Sequence, residues 1–121
     1  MTVFDSSALL AYLFEEPESG RIRDSLNGGG SCSAANWSEV AQKSIAKGLN
    51  WAETRLLLIA HGLTVEPVTV LDAELAARLW TTGITLSLAD RLCLALGARL
   101  ETDIITCDTQ WSGRPGVILV R

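Results

Sequence analysis

The chain has 121 residues, 48% of them hydrophobic, and its ten basic and fourteen acidic side chains give a formal net charge of −4. These values predict one soluble, cytoplasmic domain over residues 1–121, because there is neither an apolar run of about 18 residues nor a basic-then-apolar leader. The acidic balance counts against nucleic-acid binding through a broad cationic face, but it does not exclude a nuclease, because bound divalent cations can supply local positive charge.

The first predicted element is a short buried strand, Thr2 to Phe4, which ends at Asp5. Two hydroxyl residues and a run of good helix formers follow, so the strand is predicted to turn directly into a helix. Asp5 then lies at the carboxyl end of a strand, the edge of a parallel α/β sheet where ligands bind. The alternative interpretation is that Asp5 caps the helix after it.

The middle of the chain alternates predicted helices and strands. They are a helix over 18–26, a glycine-rich turn over 27–30, a weak strand over 31–34, helices over 37–47 and 51–61, and a strand over 63–68. The helices over 37–47 and 51–61 are each followed by a glycine, Gly48 and Gly62, suited to the left-handed position after a helix. Pro67 interrupts the last strand, so this strand ends there or lies at an edge of the sheet.

The remaining predicted elements are an amphipathic helix over 71–82, a helix over 88–100, a strand over 103–106 and a last strand over 117–120. The helix over 88–100 is apolar nearly all round in its middle, so it should be buried. Strands that alternate with one or more helices predict right-handed crossovers and a mostly parallel α/β sheet with helices on both faces.

Carboxylates are the side chains best suited to chemistry here. The three cysteines have no CxxC or Cys/His spacing, and we interpret them as reduced, buried fillers. The single histidine, His61, suits the last turn of a helix. One histidine leaves little room for a Ser-His-Asp or Cys-His mechanism or for a zinc site.

Four acids occupy positions that such a fold would bring to one edge of the sheet. They are Asp5 at the end of the first strand, Asp108 just past the strand over 103–106, and Glu39 and Asp90 near the starts of helices. Four negative charges in one pocket repel one another, so some would hold protons or a cation would neutralise them. Hard oxygen ligands favour Mg²⁺ or Mn²⁺, ions that assist phosphodiester cleavage.

Helix capping is an alternative role for two of these acids. Asn36 precedes Glu39 by three residues and Ser87 precedes Asp90 by three, which is the spacing of a capping box. Because the helix after Ser87 is apolar nearly all round, its first turn should be largely enclosed, and this makes a purely solvated cap at Asp90 less favoured.

Four segments, in order along the chain, carry a family resemblance. They are Val3–Ala11 (VFDSSALLA), Ser33–Val40 (SAANWSEV), Leu86–Leu96 (LSLADRLCLAL) and Ile105–Trp111 (ITCDTQW). In these segments the sequence resembles the PIN-domain ribonucleases, specifically the VapC-type toxins of bacterial and archaeal toxin–antitoxin pairs. The resemblance implies a three-layer α/β/α sandwich, a carboxylate pocket that holds Mg²⁺ or Mn²⁺, and RNA as the substrate of an endoribonuclease.

The same resemblance assigns roles to the four acids. Asp5 and Asp90 would be the firmest metal ligands, directly or through water. Glu39 would orient the attacking water or a metal-bound one, and Asp108 would complete the pocket or a second metal site. Only thirteen residues (109–121) follow Asp108, too few for the helix that many relatives place before the last strand, so the resemblance supports Asp108 less than the other three.

Three further residues border the implied pocket. Ser7 and Thr106 match positions where a hydroxyl lines it, although each also suits a local turn or cap bond. Arg91 is placed either to contact a phosphate or to pair with a neighbouring acid.

The resemblance also implies two protein partners, a cognate VapB-type antitoxin and a second copy in a homodimer. The apolar residues of the first helix fit either core packing or a groove for an amphipathic segment of another chain; they are Leu9, Leu10, Tyr12, Leu13 and Phe14.

Two other functions compete with the toxin. One is a PIN nuclease of RNA maturation or decay. The other is a receiver-like Mg²⁺-binding signalling module, which would need a lysine at a late strand end. The only lysines, Lys43 and Lys47, are predicted to lie in one helix, which counts against the receiver.

Overall fold

The computed structural model describes residues 2–121 as strands that alternate with helices. The elements are β1 (Thr2–Phe4), α1 (Ser6–Leu13), α2 (Ser19–Leu26), β2 (Gly30–Ser33), α3 (Ala34–Ala46), α4 (Trp51–Ala60), β3 (Leu63–Glu66), α5 (Val70–Arg78), α6 (Leu88–Leu100), β4 (Ile104–Thr106) and β5 (Val117–Leu119). A 3₁₀ turn (Thr109–Trp111) joins the last two strands, so no α-helix lies between β4 and β5, as the sequence predicts. The predicted elements are all present, but α5 ends four residues before the predicted position.

The five strands are all parallel and follow the order β3-β2-β1-β4-β5 across the sheet. The chain moves outward from β1 to β3 and then crosses back to place β4 on the other side of β1. The boundary between β1 and β4 is therefore the topological switch point, where ligand crevices form in open α/β sheets. Receiver modules have the order 2-1-3-4-5, so the observed order argues against the receiver alternative.

Successive residues of the central strands point to opposite faces of the sheet and enter two separate cores. Phe4 and Ile105 pack with residues of α1, α2, α3 and α4 on one face. Val3 and Ile104 pack with Cys93 of α6 and other residues on the opposite face. Helices therefore cover both faces, which confirms the predicted three-layer α/β/α sandwich.

The start of α3 differs from the prediction. Ser33 ends β2 and is itself the N-cap of α3, because its extended backbone places its hydroxyl 3.2 Å from the backbone N–H of Ala35, from which it accepts a hydrogen bond. Asn36 lies inside the first turn and not before it. The interpretation of Asn36 and Glu39 as a capping box is therefore wrong.

The single histidine and the cysteines have structural positions. His61 is the C-cap of α4, one residue beyond the helix end and not within its last turn as predicted, and its ring nitrogens lie 2.8 Å from the Tyr12 hydroxyl and 2.9 Å from Asn27 Oδ1. These contacts join α1, α4 and the end of α2. All three cysteines are free and buried, as the sequence predicts. Within residues 2–121, every helix is too short or too polar to cross a bilayer.

A close contact between α6 and β4 sets the position of the helix that carries Asp90. A Cβ atom added at Gly97 would lie 2.5 Å from Cδ1 and 2.6 Å from Cγ1 of Ile104. Real Cβ atoms do not approach carbon so closely, so α6 can lie at this distance from the sheet only because residue 97 is glycine.

We expect Gly97→Ala to destabilise the protein by about 1–3 kcal/mol, the usual cost of overpacking a filled core. Gly20→Ala is the matched control, because a Cβ at this helical glycine would meet only Arg23 Nη2, at 4.0 Å. Relief from the helix penalty of glycine should stabilise that variant by about 0.5–1 kcal/mol. Urea unfolding measures both changes, and equal effects of the two substitutions would show that the α6–β4 contact does not require a glycine.

Candidate active site

Asp5 lies at the switch point between β1 and β4. Its backbone N–H donates to the carbonyl of Ile105 at 2.9 Å, which extends the ladder between these strands by one residue. The hydroxyls of Ser7 and Thr106 both donate to Asp5 Oδ2, at 2.6 and 2.9 Å. The Asp5 carboxylate is thus held by side chains from α1 and β4, one on each side of the switch point.

Backbone donors orient the two hydroxyls. The backbone N–H of Cys107 donates to Ser7 Oγ and that of Asp108 donates to Thr106 Oγ1, each at 3.0 Å. A hydroxyl has one hydrogen, and here each hydroxyl directs it to the carboxylate while its oxygen accepts from the backbone. Ser7 and Thr106 therefore hold the Asp5 carboxylate and do not only make local turn bonds.

The second oxygen of Asp5 is left without a partner. Asp5 is only 2% exposed, and Oδ1 is buried and accepts no hydrogen bond within the described residues. Burial raises the pKa of the Asp5 carboxyl, the bonds from Ser7 and Thr106 oppose that rise, and the charge of Asp90 adds to it. Asp5 occupies the N-cap position of α1, and the backbone N–H of Ser7 contributes to lowering its pKa, but its side chain makes no capping hydrogen bond of ordinary geometry.

Glu39 reaches the same edge from α3. Its Oε1 accepts hydrogen bonds from Ser6 Oγ at 2.9 Å and from Asn36 Nδ2 at 3.1 Å. Ser6 follows Asp5 directly in the chain, so this bond places the half-buried Glu39 carboxylate beside the start of α1.

Asp90 has the capping role that the sequence gave as one of its two alternatives. Its backbone N–H donates to Ser87 Oγ at 3.1 Å, and its Oδ2 accepts from the Ser87 backbone N–H at 3.0 Å, so the predicted capping box is present. Burial raises the pKa of the Asp90 carboxyl; the bonds from Ser87 oppose this, and the charges of Glu39 and Asp108 add to it. The cap therefore holds Asp90 among the other acids.

In the described part of the chain, the side-chain hydrogen bonds of Asp108 and Arg91 go to backbone groups and not to other predicted site residues. Asp108 is half-buried, and its Oδ1 accepts from the backbone N–H of Gln110 at 2.9 Å, which caps the 3₁₀ turn. Arg91 donates from Nη1 to the carbonyl of Ala76 in α5 at 2.9 Å. Within residues 2–121 it forms no ion pair with an acid, and this contact ties α6 to α5.

Charge interactions link the four acids: the charge of Asp90 acts on Asp5, and the charges of Glu39 and Asp108 act on Asp90. The buried thiol of Cys32, on β2, reports the same cluster: burial raises its pKa, and the charges of Asp5 and Glu39 raise it further. Within the described residues, no set of three or more His, Cys, Asp or Glu side chains is arranged to hold a metal ion as it stands. The arrangement is an open, negatively charged cluster and not a closed cage.

The donor chemistry of this cluster fits a hard divalent cation. Its members offer carboxylate and hydroxyl oxygens, which are the ligand types of Mg²⁺ and Mn²⁺. A buried polar atom without a partner calls for an explanation in a folded protein. The unpartnered Oδ1 of Asp5 is the atom that a cation at this edge would satisfy.

Sequence reasoning assigned no site role to Ser6 or Asn36, although both donate to Glu39. The spacing of Asn36 and Glu39 contained a signal, because residues three apart in a helix lie on the same face. The contact of Ser6 with Glu39 joins residues 33 positions apart, and no local pattern predicts it.

Comparisons with known proteins agree on the fold. A family model described as PIN domain matches residues 2–116. A chain of a toxin–antitoxin complex from Klebsiella pneumoniae is 22% identical with a TM-score of 0.80, over 98% of this chain and 96% of that one. VapC20 from Mycobacterium tuberculosis, a toxin that cleaves the sarcin–ricin loop, is 15% identical with a TM-score of 0.79, over 100% of both chains. VapBC2 from Rickettsia felis, solved bound to a DNA fragment from its promoter, is 14% identical with a TM-score of 0.67, over 98% of this chain and 96% of that one. A search of curated proteins found no match.

The raised pKa of Asp5 predicts a pH-dependent effect of Asp5→Asn in metal-free protein. Because burial raises the pKa of the Asp5 carboxyl, folding of the wild type at pH 7 carries an electrostatic cost that the amide lacks, so the variant should be more stable, by on the order of 1 kcal/mol. As the pH falls through the raised folded-state pKa toward about 3.9, the wild-type carboxyl becomes protonated in both states and the advantage should disappear.

Urea unfolding in EDTA at several pH values between 7 and 4 measures this difference. Asp24→Asn is the control, because the Asp24 side chain is 76% exposed on α2 and should show little change. A wild-type protein more stable than Asp5→Asn at pH 7 would contradict the electrostatic cost assigned to Asp5.

Proposed function

The chain belongs to the PIN-domain family, and from this premise we propose that it is a Mg²⁺- or Mn²⁺-dependent endoribonuclease and the toxin of a toxin–antitoxin pair. One observation carries the proposal: a buried carboxylate oxygen, Asp5 Oδ1, has no hydrogen-bond partner within residues 2–121, and it lies at the switch point, where the charge of Asp90 also acts on this carboxyl. The likeness to VapC20, a toxin that cleaves the sarcin–ricin loop, supports RNA as the substrate.

Asp5 and Asp90 would hold the ion, Glu39 would contact it directly or through a metal-bound water, and Asp108 would complete the pocket. When bound, a divalent ion supplies water activation and charge stabilisation for phosphodiester cleavage. Such an ion also offsets the repulsion between the acids and the phosphates of RNA, which a chain with a net charge of −4 does not otherwise overcome.

The protein side chains supply orientation. Ser7 and Thr106 hold Asp5 Oδ2, so that Oδ1 keeps one direction. Ser6 and Asn36 hold Glu39 Oε1 from two different elements, which leaves the other carboxylate oxygen to accept a hydrogen from the attacking water. Proton acceptance by a positioned carboxylate is general base catalysis.

An antitoxin partner forms part of the same proposal. Two of the structural neighbours, the Klebsiella pneumoniae chain and VapBC2 from Rickettsia felis, come from structures of toxin–antitoxin complexes. In this chain Leu9 and Leu10 are buried, but Tyr12 and Leu13 are only partly buried and line a cleft of about 290 Å³ with Leu57 of α4 and the polar side chains of Glu15, Ser19 and Arg23. The first helix thus both packs into the core and contributes to a surface cleft, and we propose that an amphipathic segment of the antitoxin, with apolar and charged side chains, covers this cleft. The homodimer stays a prediction, which sedimentation would decide.

The direct test of the proposed activity is incubation of the purified chain with total cellular RNA in Mg²⁺, Mn²⁺ or EDTA, with sequencing of new RNA ends. We expect new ends at defined sites with either metal and none with EDTA. Asp5→Asn should lower the cleavage rate by about 100-fold or more, the usual cost of losing a central electrostatic group. The control Asp24→Asn should cleave like the wild type. Wild-type cleavage by Asp5→Asn, or full activity in EDTA, would contradict the proposal.

Metal binding is testable without RNA. A cation that binds only the folded cluster at 100 times its dissociation constant stabilises the protein by about 2.7 kcal/mol. For a domain of this size that corresponds to a rise in Tm on the order of 10 °C. We expect Mn²⁺ to produce such a rise in thermal melting of the wild type and not of Asp5→Asn. Unchanged melting of the wild type in millimolar Mn²⁺ would rule out a metal site at this edge.

A further inference from the structure

Asn36 is a fully buried polar residue in the first turn of α3. Its Nδ2 donates to Glu39 Oε1 at 3.1 Å and makes a longer contact, 3.5 Å, with the carbonyl oxygen of Ala89. Ala89 directly precedes Asp90 in the first turn of α6. One amide group therefore contacts Glu39 on its own helix, α3, and the residue before Asp90 on α6.

This residue has several energetic disadvantages as part of the scaffold. Asparagine is a weaker helix former than alanine or leucine, because its side chain competes for backbone hydrogen bonds. Its burial carries a desolvation cost, and Asn36 Oδ1 has no hydrogen-bond partner within the described residues. Helix capping does not offset these costs, because Ser33 is the cap of α3.

The contacts of Asn36 suit the electrostatics of the cluster. An amide can lie between Glu39 and the start of α6 without adding a further negative charge to the four already there. Its two N–H hydrogens can serve two acceptors at once, whereas a hydroxyl has only one. The donation to Glu39 Oε1 also complements that of Ser6, so the carboxylate is held from α1 and from its own helix.

We propose that Asn36 is a positioning residue that acts through Glu39, holding its carboxylate at a set distance from the start of α6 so that Glu39 and Asp90 face the same cation. The inference rests on the proposed function and deepens it by adding a residue that does not itself touch metal or substrate. Partners that orient ligands in this way typically account for about 10- to 100-fold in metal affinity or activity.

The informative substitution is Asn36→Leu, which keeps the branched side-chain skeleton, although its two methyl groups are larger, and removes both donors together with the unpartnered oxygen. A purely structural role would leave metal binding unchanged, and the loss of an unsatisfied buried group would make the variant as stable as the wild type or more so. The positioning role predicts that Mn²⁺ affinity, measured by electron paramagnetic resonance of free Mn²⁺, falls by about 10- to 100-fold. It also predicts a fall in kcat for RNA cleavage with KM little changed.

A double-mutant cycle with Glu39→Gln decides whether Asn36 acts through Glu39. In the Glu39→Gln background, Asn36→Leu should have almost no further effect on Mn²⁺ affinity, because residues that act together are not additive. An equal fold-change in both backgrounds, or unchanged Mn²⁺ affinity in Asn36→Leu, would overturn the inference. If Asn36→Leu does not fold, Asn36→Ala removes the same donors and replaces it in the cycle, with the same outcomes.

Ser44→Ala is the matched control for burial. Ser44 is also fully buried and polar on α3, and its Oγ also lacks a partner, but it lies eight residues after Asn36, more than two helical turns away. This variant should keep the wild-type Mn²⁺ affinity and cleavage rate. The cycle measures Mn²⁺ binding and not RNA cleavage, so a wild-type chain that binds Mn²⁺ but does not cut RNA would defeat the proposed function while the cycle still decides the role of Asn36.

Discussion

The Asp5 carboxylate, buried and hydrogen-bonded through only one oxygen, is the feature on which the chemistry of this fold depends. Burial disfavours its charged form, and the hydroxyls of Ser7 and Thr106 offset only part of that cost, because both bonds go to Oδ2. A folded protein that leaves Oδ1 bare beside the charge of Asp90 has a local surplus of negative charge. The proposed divalent cation would remove that surplus and would also provide what phosphodiester cleavage requires.

The chain topology explains why distant acids meet at this point. The return of the chain from β3 to β4 places two strand ends, those of β1 and β4, side by side at the switch point. The first turns of α3 and α6 approach the same edge and bring Glu39 and Asp90, and Asn36 joins these two turns. Gly97 lets α6 lie close enough to the sheet for this approach. The packing of the helices therefore also determines where the acids lie.

The sequence predicted those parts of the site that local patterns encode. Asp5 and Asp108 follow strand-like runs, and Ser87 and Asp90 have a capping-box spacing that the structure contains. The same rule was wrong at Asn36, because β2 runs into α3 without a linker and its last residue, Ser33, caps the helix. The capping-box spacing alone does not show that the last residue of a strand already caps the helix.

Contacts across the tertiary structure were beyond prediction from local patterns. The bond from Ser6 to Glu39 and the contact of Asn36 with Ala89 join elements that are distant in sequence. The Arg91 guanidinium bonds to the carbonyl of Ala76, although its position beside Asp90 had suggested a phosphate contact or an ion pair. Complete burial of Asn36 likewise depends on how α3 and α6 meet, which helical periodicity does not specify.

The most direct measurement of the central claim is an anomalous difference map from crystals of the chain grown with Mn²⁺. The predicted result is a peak at the carboxyl edge of the sheet, bonded to Asp5 Oδ1 and within reach of Asp90 and Glu39. A map without a peak at this edge, or with Mn²⁺ bound only by acids elsewhere on the surface, would contradict the claim that the buried carboxylate exists to hold a cation.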